Sequence, residues 1–315
     1  MHSKSHELTR NFSAKLARTL LPAALFVTLI LSAAPGFAQA PPAAGGDRGG
    51  DGRRISEKVK PFKIVGNIYY VGGTDMTVFL ITTPQGHILI DSTYERDVPW
   101  IRQNIEELGF NVRDINLLLN SPAHADHLEA HAMMKELTGA QVIMSEADGK
   151  TLAEGGGIGP NGRPRFKAVK ADRLIKTGDT VTLGGVTLTA HVFPGHTRGA
   201  TTWVMPIEDG GKRYSFVFWG GIGGIREPFV NNKNWPTLAD DYADTLRRAK
   251  QLPCEFFTQG HAEGFGFIDK MNRLLKGEQP NPFYAPQECK QGLEERERDF
   301  QADLAKQRAE AGAAR

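Results

Sequence analysis

Two imidazoles and a carboxylate lie close together in one stretch of this sequence, Asn120 to His127, and their donor atoms suit a metal ion. The side chains are those of His124, Asp126 and His127. Zinc binds imidazole nitrogens and carboxylate oxygens, and a loop that leads from a strand into a helix presents alternate side chains to one point. The spacing therefore predicts a zinc site just after the strand predicted for Ile115 to Leu119.

Two further histidines stand beside glycine, each at the end of a predicted strand. They are His196, in Pro-Gly-His-Thr, and His261, in Gln-Gly-His-Ala. Either of them alone is more typical of a core or turn histidine with its hydrogen bonds satisfied. Taken with the first cluster, they bring the number of candidate ligands to five, from three distant parts of the chain.

Other polar residues near this cluster are interpreted as supporting ones. His87 and His191 lie in or beside predicted strands and are interpreted as structural. His131 follows His127 by one helical turn, so it is an alternative ligand, although a helix that leads away from the metal favours a packing role. Asp91 closes a predicted strand and is a candidate hydrogen-bond partner for a ligand.

The elements that must position these side chains alternate between strands and helices. Strands are predicted at 62–64, 68–71, 77–81, 88–90, 115–119, 181–183, 186–192, 201–205, 214–219 and 256–258, and helices at 98–108, 127–137 and 237–252. Residues 155–164, reading GGGIGPNGRP, are predicted to form a loop. Two halves that each contain strands followed by helices predict an α/β fold of the αβ/βα type, with two sheets packed face to face and helices outside.

Composition and charge limit the partners. The chain has 315 residues, of which 40% are hydrophobic, and a formal net charge of +2. This length and apolar content fit one large domain, predicted at 55–292, and the near-neutral charge gives no field that would attract nucleic acid.

The N-terminus has the pattern of an export signal at 1–40. Basic residues precede the apolar run Leu20 to Ala34, and Ala38-Gln39-Ala40 supplies small residues for cleavage near Ala40. The prediction is a periplasmic protein that does not associate with a membrane once the signal is removed, and an N-terminal membrane anchor is the alternative. Residues 41–54 are predicted to be a disordered linker, and 293–315 a charged, solvated C-terminal helix.

The chain contains two cysteines, Cys254 and Cys289, both in the part that would be exported. An oxidising compartment permits a disulfide between them. Two buried free thiols are the alternative.

Three stretches of the sequence, together with the five candidate ligands, resemble the metallo-β-lactamase superfamily, and within it the class B enzymes of subclass B3. The stretches are TLGGVTLTAHVFPGHTRGATTW, LPCEFFTQGHAE and NPFYAPQECK. The resemblance covers nearly the whole mature chain. It implies a four-layer αβ/βα sandwich, a zinc-dependent hydrolase that opens the β-lactam ring of antibiotics, and the disulfide of that subclass.

The resemblance also implies two zinc sites. Asp126, His127 and His261 match the second site completely. His124 and His196 match the first, but Pro122 stands where the family has His, or sometimes Gln or Glu.

Proline has neither a side-chain donor nor a backbone N–H, so Pro122 cannot replace the missing ligand. Two protein ligands make a weak zinc site. The prediction is one tight zinc ion at the complete site and a weak or absent second ion. Another subclass of the family works with a single zinc at the equivalent site, so activity need not be lost, and a loss of activity is the alternative.

In the implied reaction a zinc-bound or zinc-adjacent water attacks the amide carbonyl of a small-molecule substrate, a β-lactam, while Asp126 or His124 accepts its proton. Related enzymes offer serines from the loop after the strand at 214–219, where this chain reads Gly-Gly-Ile-Gly-Gly. Gly221, Gly223 and Arg226 are predicted to contact the substrate, with Arg226 supplying positive charge for its carboxylate. A solvated loop arginine is the alternative role of Arg226.

Two other functions stay open. Fold and metal do not fix the substrate, so a lactone, thioester or other ester is the first alternative. Pro122 and the serine-free loop suggest the second, a catalytically degenerate periplasmic protein that binds zinc or a small anion.

Overall fold

The computed structural model describes residues 55–159 and 162–313. The predicted signal at 1–40 and the predicted linker at 41–54 lie outside these residues. Within the described residues, no helix is both long enough and apolar enough to cross a membrane.

Seven strands form the first sheet, and they are arranged in their order along the chain. The first to the fourth strand pair as an antiparallel meander, and the fourth to the seventh strand pair in parallel. Parallel neighbours require crossovers, which helices provide here. The strands are β1 Phe62–Val65, β2 Ile68–Tyr70, β3 Phe79–Thr83, β4 Gly86–Ile90, β5 Ile115–Leu119, β6 Gln141–Ser145 and β7 Arg173–Ile175.

The second sheet contains five strands in the order β12-β11-β10-β9-β8. Neighbours are antiparallel except for β11 and β12, which are parallel. Both of these strands therefore end at the same edge of the sheet. The bounds are β8 Thr180–Leu183, β9 Val186–Val192, β10 Thr201–Asp209, β11 Lys212–Trp219 and β12 Phe256–Gln259.

The described residues contain seven α-helices that connect or cover the sheets. They are α1 Val98–Glu107, α2 Ala125–Leu128, α3 His131–Thr138, α4 Glu146–Ala153, α5 Leu238–Ala249, α6 Phe267–Leu275 and α7 Pro286–Ala313.

Alternation along the strands divides the core into layers. In β4, Ile88 and Ile90 belong to a cluster shared with Trp203 of the second sheet, whereas Leu89 between them belongs to a cluster shared with Ile101 of α1. Successive side chains of a strand point to opposite faces, so the first sheet is covered by the second sheet on one side and by helices on the other. The predicted αβ/βα sandwich is confirmed.

The helix predicted at 127–137 is wrong as a single element, because α2 and α3 are separate. The backbone N–H of Ala130 donates to Thr93 O at 3.0 Å, and the N–H of Ser92 donates to His127 O at 2.9 Å. The segment after β4 thus takes hydrogen bonds that a continuous helix would have made with itself.

The C-terminal helix differs from the prediction in extent and in exposure. It begins at Pro286 rather than at 293, and it buries Leu293, Phe300 and Leu304. The ring of Phe300 lies 5.2 Å from that of Tyr242 on α5. One face of the helix is therefore packed on the second half of the fold, whereas other residues of the same helix are exposed.

Cys254 and Cys289 form a disulfide that ties the start of α7 to the segment before β12. The structure thus has the pairing that the sequence indicated, and it holds no free cysteine in the described residues.

Candidate metal centre

The five predicted ligands come from loops at one edge of the two sheets. His124, Asp126 and His127 follow β5, and His261 follows β12. His196 lies in the connection from β9 to β10, which is held against the first loop because Thr201 N donates to Ser121 O at 2.9 Å. Packing the two sheets face to face therefore brings three distant segments together.

Asp126, His127 and His261 form a compact group of potential ligands. Their ligand atoms lie within 4.8 Å of one another. His261 Nε2 lies 3.6 Å from Asp126 Oδ2, and the rings of His127 and His261 are nearly perpendicular, at 88°, with centroids 5.0 Å apart. Tetrahedral zinc with bonds of about 2.1 Å places its ligand atoms about 3.4 Å apart. These three residues fit one such ion.

His127 is held in one orientation by the Asp91 carboxylate. Asp91 Oδ2 lies 3.0 Å from His127 Nδ1, and the same carboxylate accepts hydrogen bonds from Ser121 N at 2.7 Å and Ser121 Oγ at 2.6 Å. Because Nδ1 is engaged in this way, His127 would bind a metal through Nε2. Asp91 has a positive φ of 63°, a conformation that is uncommon outside glycine.

His261 reaches the group because its neighbour is glycine. A Cβ at Gly260 would lie 2.5 Å from His127 Cε1, so any other residue would push β12 away from the first loop. His261 Nδ1 is buried without a hydrogen bond, and Asp75 Oδ1 lies 3.8 Å from it. Asp75, which lies between β2 and β3, was not among the predicted site residues.

His124 and His196 form a pair beside this group. Their ring centroids are 4.6 Å apart, and His196 Nδ1 lies 3.1 Å from Gly224 O. The described residues contain one group of three or more metal-ligating side chains, and this pair is not part of it. Pro122 is buried and offers no third ligand.

The remaining histidines of the described residues take no part in the group. His131 is buried, and its Nδ1 lies 2.7 Å from Ser92 Oγ. His87 and His191 pack on Phe110 and Phe193, with ring centroids 5.1 Å and 5.9 Å apart respectively.

The electrostatics of the site favour the protonation states that bind a cation. Burial lowers the pKa of His124 to about 4 and that of His196 to about 3, so both imidazoles are neutral at pH 7. Burial alone would raise the pKa of Asp126, but the neighbouring histidines outweigh it and lower the pKa to about 2. Neutral imidazoles around an ionised carboxylate are the forms that bind metal.

A second buried carboxylate, Asp148 on α4, links the two loops that carry His124 and His196. Its Oδ1 accepts from Gly199 N at 3.1 Å, and its Oδ2 accepts from Thr197 Oγ1 at 3.2 Å and from Asn120 Nδ2 at 3.4 Å. No local sequence pattern marks Asp148, so it was not among the predicted site residues.

The glycine loop at 220–224, which follows β11, packs against His196. A Cβ at Gly221 would lie 3.0 Å from His196 Cβ, and Gly221 and Gly224 have positive φ values of 68° and 67°. Arg226 is exposed, and its positive charge is among the influences that lower the pKa of His124. The structure therefore places Gly221 against His196, whereas Arg226 acts on His124 through its charge.

Comparison with known proteins agrees with this arrangement. Residues 71–209 match the family model of the metallo-β-lactamase superfamily. The structure is similar to the native FEZ-1 metallo-β-lactamase from Legionella gormanii, with a TM-score of 0.78 and 37% identity over 81% of this chain and 99% of that chain. It is also similar to BJP-1, a subclass B3 metallo-β-lactamase of Bradyrhizobium japonicum, with a TM-score of 0.74 and 37% identity over 81% and 97% of the two chains.

One curated relative is named for a substrate other than a β-lactam. A hydroxyacylglutathione hydrolase of Hyphomonas neptunium is 29% identical over 178 residues, which are 54% of this chain and 59% of that enzyme. The match thus spans less than two thirds of that enzyme's length. With near-complete coverage of the similar structures at 37% identity, the chain belongs to the metallo-β-lactamase superfamily, and its fold matches that of subclass B3 enzymes.

Proposed function

We propose that this protein is a zinc-dependent hydrolase that opens the β-lactam ring. The observation that carries the proposal is the convergence of Asp126, His127 and His261 to ligand atoms within 4.8 Å of one another. Similarity over nearly the full length of two metallo-β-lactamases supports the substrate. The zinc would be a single tight ion at these three residues, with a weak or absent second ion at His124 and His196.

Zinc bound at this group lowers the pKa of a water and polarises a carbonyl. Around it, Asp126 or His124 accepts the proton of the water that attacks the amide carbonyl. The carbonyl carbon gains the hydroxyl, the C–N bond of the ring breaks, and the accepted proton is delivered to the ring nitrogen. His127 is kept in place for this by Asp91, whose carboxylate fixes the ring.

The glycine loop and Arg226 form the proposed substrate surface. The loop packs against His196 at Gly221, and Arg226 after it is exposed and close enough to His124 for its charge to lower the pKa of that imidazole. A guanidinium binds a carboxylate with two parallel hydrogen bonds. Export to the periplasm, where such a substrate would be met, is proposed from the signal pattern at 1–40.

A thioester is the second candidate substrate. The relative named a hydroxyacylglutathione hydrolase favours it, because fold and metal leave the substrate open. Zinc-loaded protein is therefore assayed with a chromogenic cephalosporin, a carbapenem and a hydroxyacylglutathione thioester. The proposal expects turnover of a β-lactam, and turnover of the thioester alone would replace it with the second candidate.

Two variants show whether the assigned group performs the reaction. His261→Ala should lose both retained zinc and turnover, because it removes one of three ligands. His191→Gln is the matched control, since His191 lies on β9, stacks on Phe193 and should keep both. Zinc retained without hydrolysis of any of the three substrates would support a catalytically degenerate binding protein instead.

A further inference from the structure

Arg296 on α7 holds a positive charge next to the glycine loop. It is partly buried, and its Nη2 donates to Gln259 Oε1 at 3.4 Å. Among the residues that the structure describes, no carboxylate oxygen lies within 4.0 Å of its guanidinium. A partly buried cation without a counter-ion is costly, since burial removes water that would otherwise solvate it.

The guanidinium fills the space that a side chain at position 223 would occupy. A Cβ built on Gly223 would lie 1.9 Å from Arg296 Nη1 and 2.6 Å from its Cζ. A serine at this position would have to displace the arginine. The absence of a serine hydroxyl at position 223 and the presence of the Arg296 guanidinium therefore depend on each other.

The same loop contacts the candidate metal ligands. Gly224 O lies 3.1 Å from His196 Nδ1, and only one peptide link, about 3.8 Å between Cα atoms, separates Gly224 from Gly223. Tyr242 Oη donates to Ile222 O at 2.8 Å, which fixes the loop from the other side.

The hydrogen bond from the Arg296 guanidinium to Gln259 also connects this arginine to the candidate metal centre. Gln259 ends β12, and His261 follows two residues later. Arg296 thus lies between the two loops that follow β11 and β12, at the edge where the candidate ligands converge.

We propose that Arg296 is a specificity-determining residue that binds the carboxylate of the substrate, a role carried by the C-terminal helix. This inference rests on the proposed function. The guanidinium presents a planar pair of N–H donors, which matches a carboxylate, and its partial burial reduces screening by water and salt. Arg226, which is exposed, contributes a weaker and more strongly screened attraction.

The test compares Arg296→Gln with wild type on two substrates, benzylpenicillin and its methyl ester. Loss of a charge-assisted hydrogen bond should raise KM for the acid by about 10- to 100-fold and leave kcat within about threefold. The KM for the uncharged ester should stay unchanged. Arg296→Lys should recover part of the loss, because lysine restores the charge without the planar pair of donors.

Arg298→Gln is the matched control, since Arg298 is exposed on the same helix and should leave both KM values unchanged. Thermal unfolding of each variant shows whether α7 stays folded. An equal effect of Arg296→Gln on the acid and the ester, or no effect on either, would overturn the inference.

A binding measurement separates this inference from the proposed function. Calorimetry on zinc-loaded protein gives the Kd of the ring-opened diacid of benzylpenicillin, which needs no turnover. A Kd raised about 10-fold or more in Arg296→Gln, without hydrolysis by wild type, would support the carboxylate site and refute β-lactam hydrolysis. Hydrolysis by wild type, together with the same Kd for wild type and Arg296→Gln, would support β-lactam hydrolysis and refute the carboxylate site.

Discussion

Replacing Asp148 with asparagine should change how the stability of the protein depends on pH. The carboxyl group is 1% exposed and lies between the loops that carry His124 and His196. Burial raises its pKa from 3.8 to about 7, although four hydrogen bonds to it act in the opposite direction. The folded protein therefore keeps a proton on Asp148 up to about pH 7, whereas the unfolded chain releases it near pH 3.8.

The sign of the effect follows from proton binding. Between about pH 4 and about pH 7 the folded state binds more protons than the unfolded state at this group, so the free energy of unfolding falls as the pH rises. The difference between about 7 and 3.8 corresponds to about 4 kcal/mol, at about 1.4 kcal/mol per pH unit. Asp148→Asn carries no titratable proton and lacks this decline. Its stability relative to wild type should therefore rise by about 4 kcal/mol from pH 4 to pH 8.

Urea unfolding followed by tryptophan fluorescence measures this difference, with a chelator present and ionic strength held constant. Asp303→Asn is the control, because it removes the same charge from an exposed position on α7. Its difference from wild type should stay constant with pH. Stability curves of wild type and Asp148→Asn that run parallel from pH 4 to pH 8 would refute the reasoning.

Three further substitutions test separate parts of the structure. Changing Cys254 and Cys289 to alanine opens a disulfide across 35 residues, and should lower the free energy of unfolding by about 4 kcal/mol; an unchanged urea midpoint would contradict this. Pro122→His completes three ligands, so zinc content measured by atomic emission should rise from about one to about two equivalents, and an unchanged content would be evidence against the explanation of the weak second site. Asp91→Asn disturbs the partner of His127 and should weaken zinc binding about 10- to 100-fold in competition with a chelating dye; an affinity equal to wild type would exclude that role.

The candidate metal ligands could be predicted from sequence because each follows a predicted strand and stands near other candidate ligands or beside glycine. His124, Asp126 and His127 lie within four residues of one another, so their proximity requires no knowledge of the fold. The positions of His196 and His261 relative to them depend on how two sheets pack, and the resemblance to a known family supplied that arrangement.

Residues that contact segments far away along the chain could not be predicted from the sequence. Asp148 and Arg296 lie on helices with no local motif, and each contacts loops that are remote in sequence. The start of α7 was placed too late because Gly292 and a run of charged residues weaken the helical pattern, while the burial of Cys289 and Leu293 depends on tertiary packing. The short strand β7 has three residues, too few for alternation to show.

Anomalous diffraction at the zinc absorption edge, from crystals of the zinc-loaded protein, tests the central claim most directly. The expected map has one strong peak bounded by the side chains of Asp126, His127 and His261, with a weaker peak or none between His124 and His196. Two peaks of equal height, or a strong peak away from the three assigned ligands, would contradict the account.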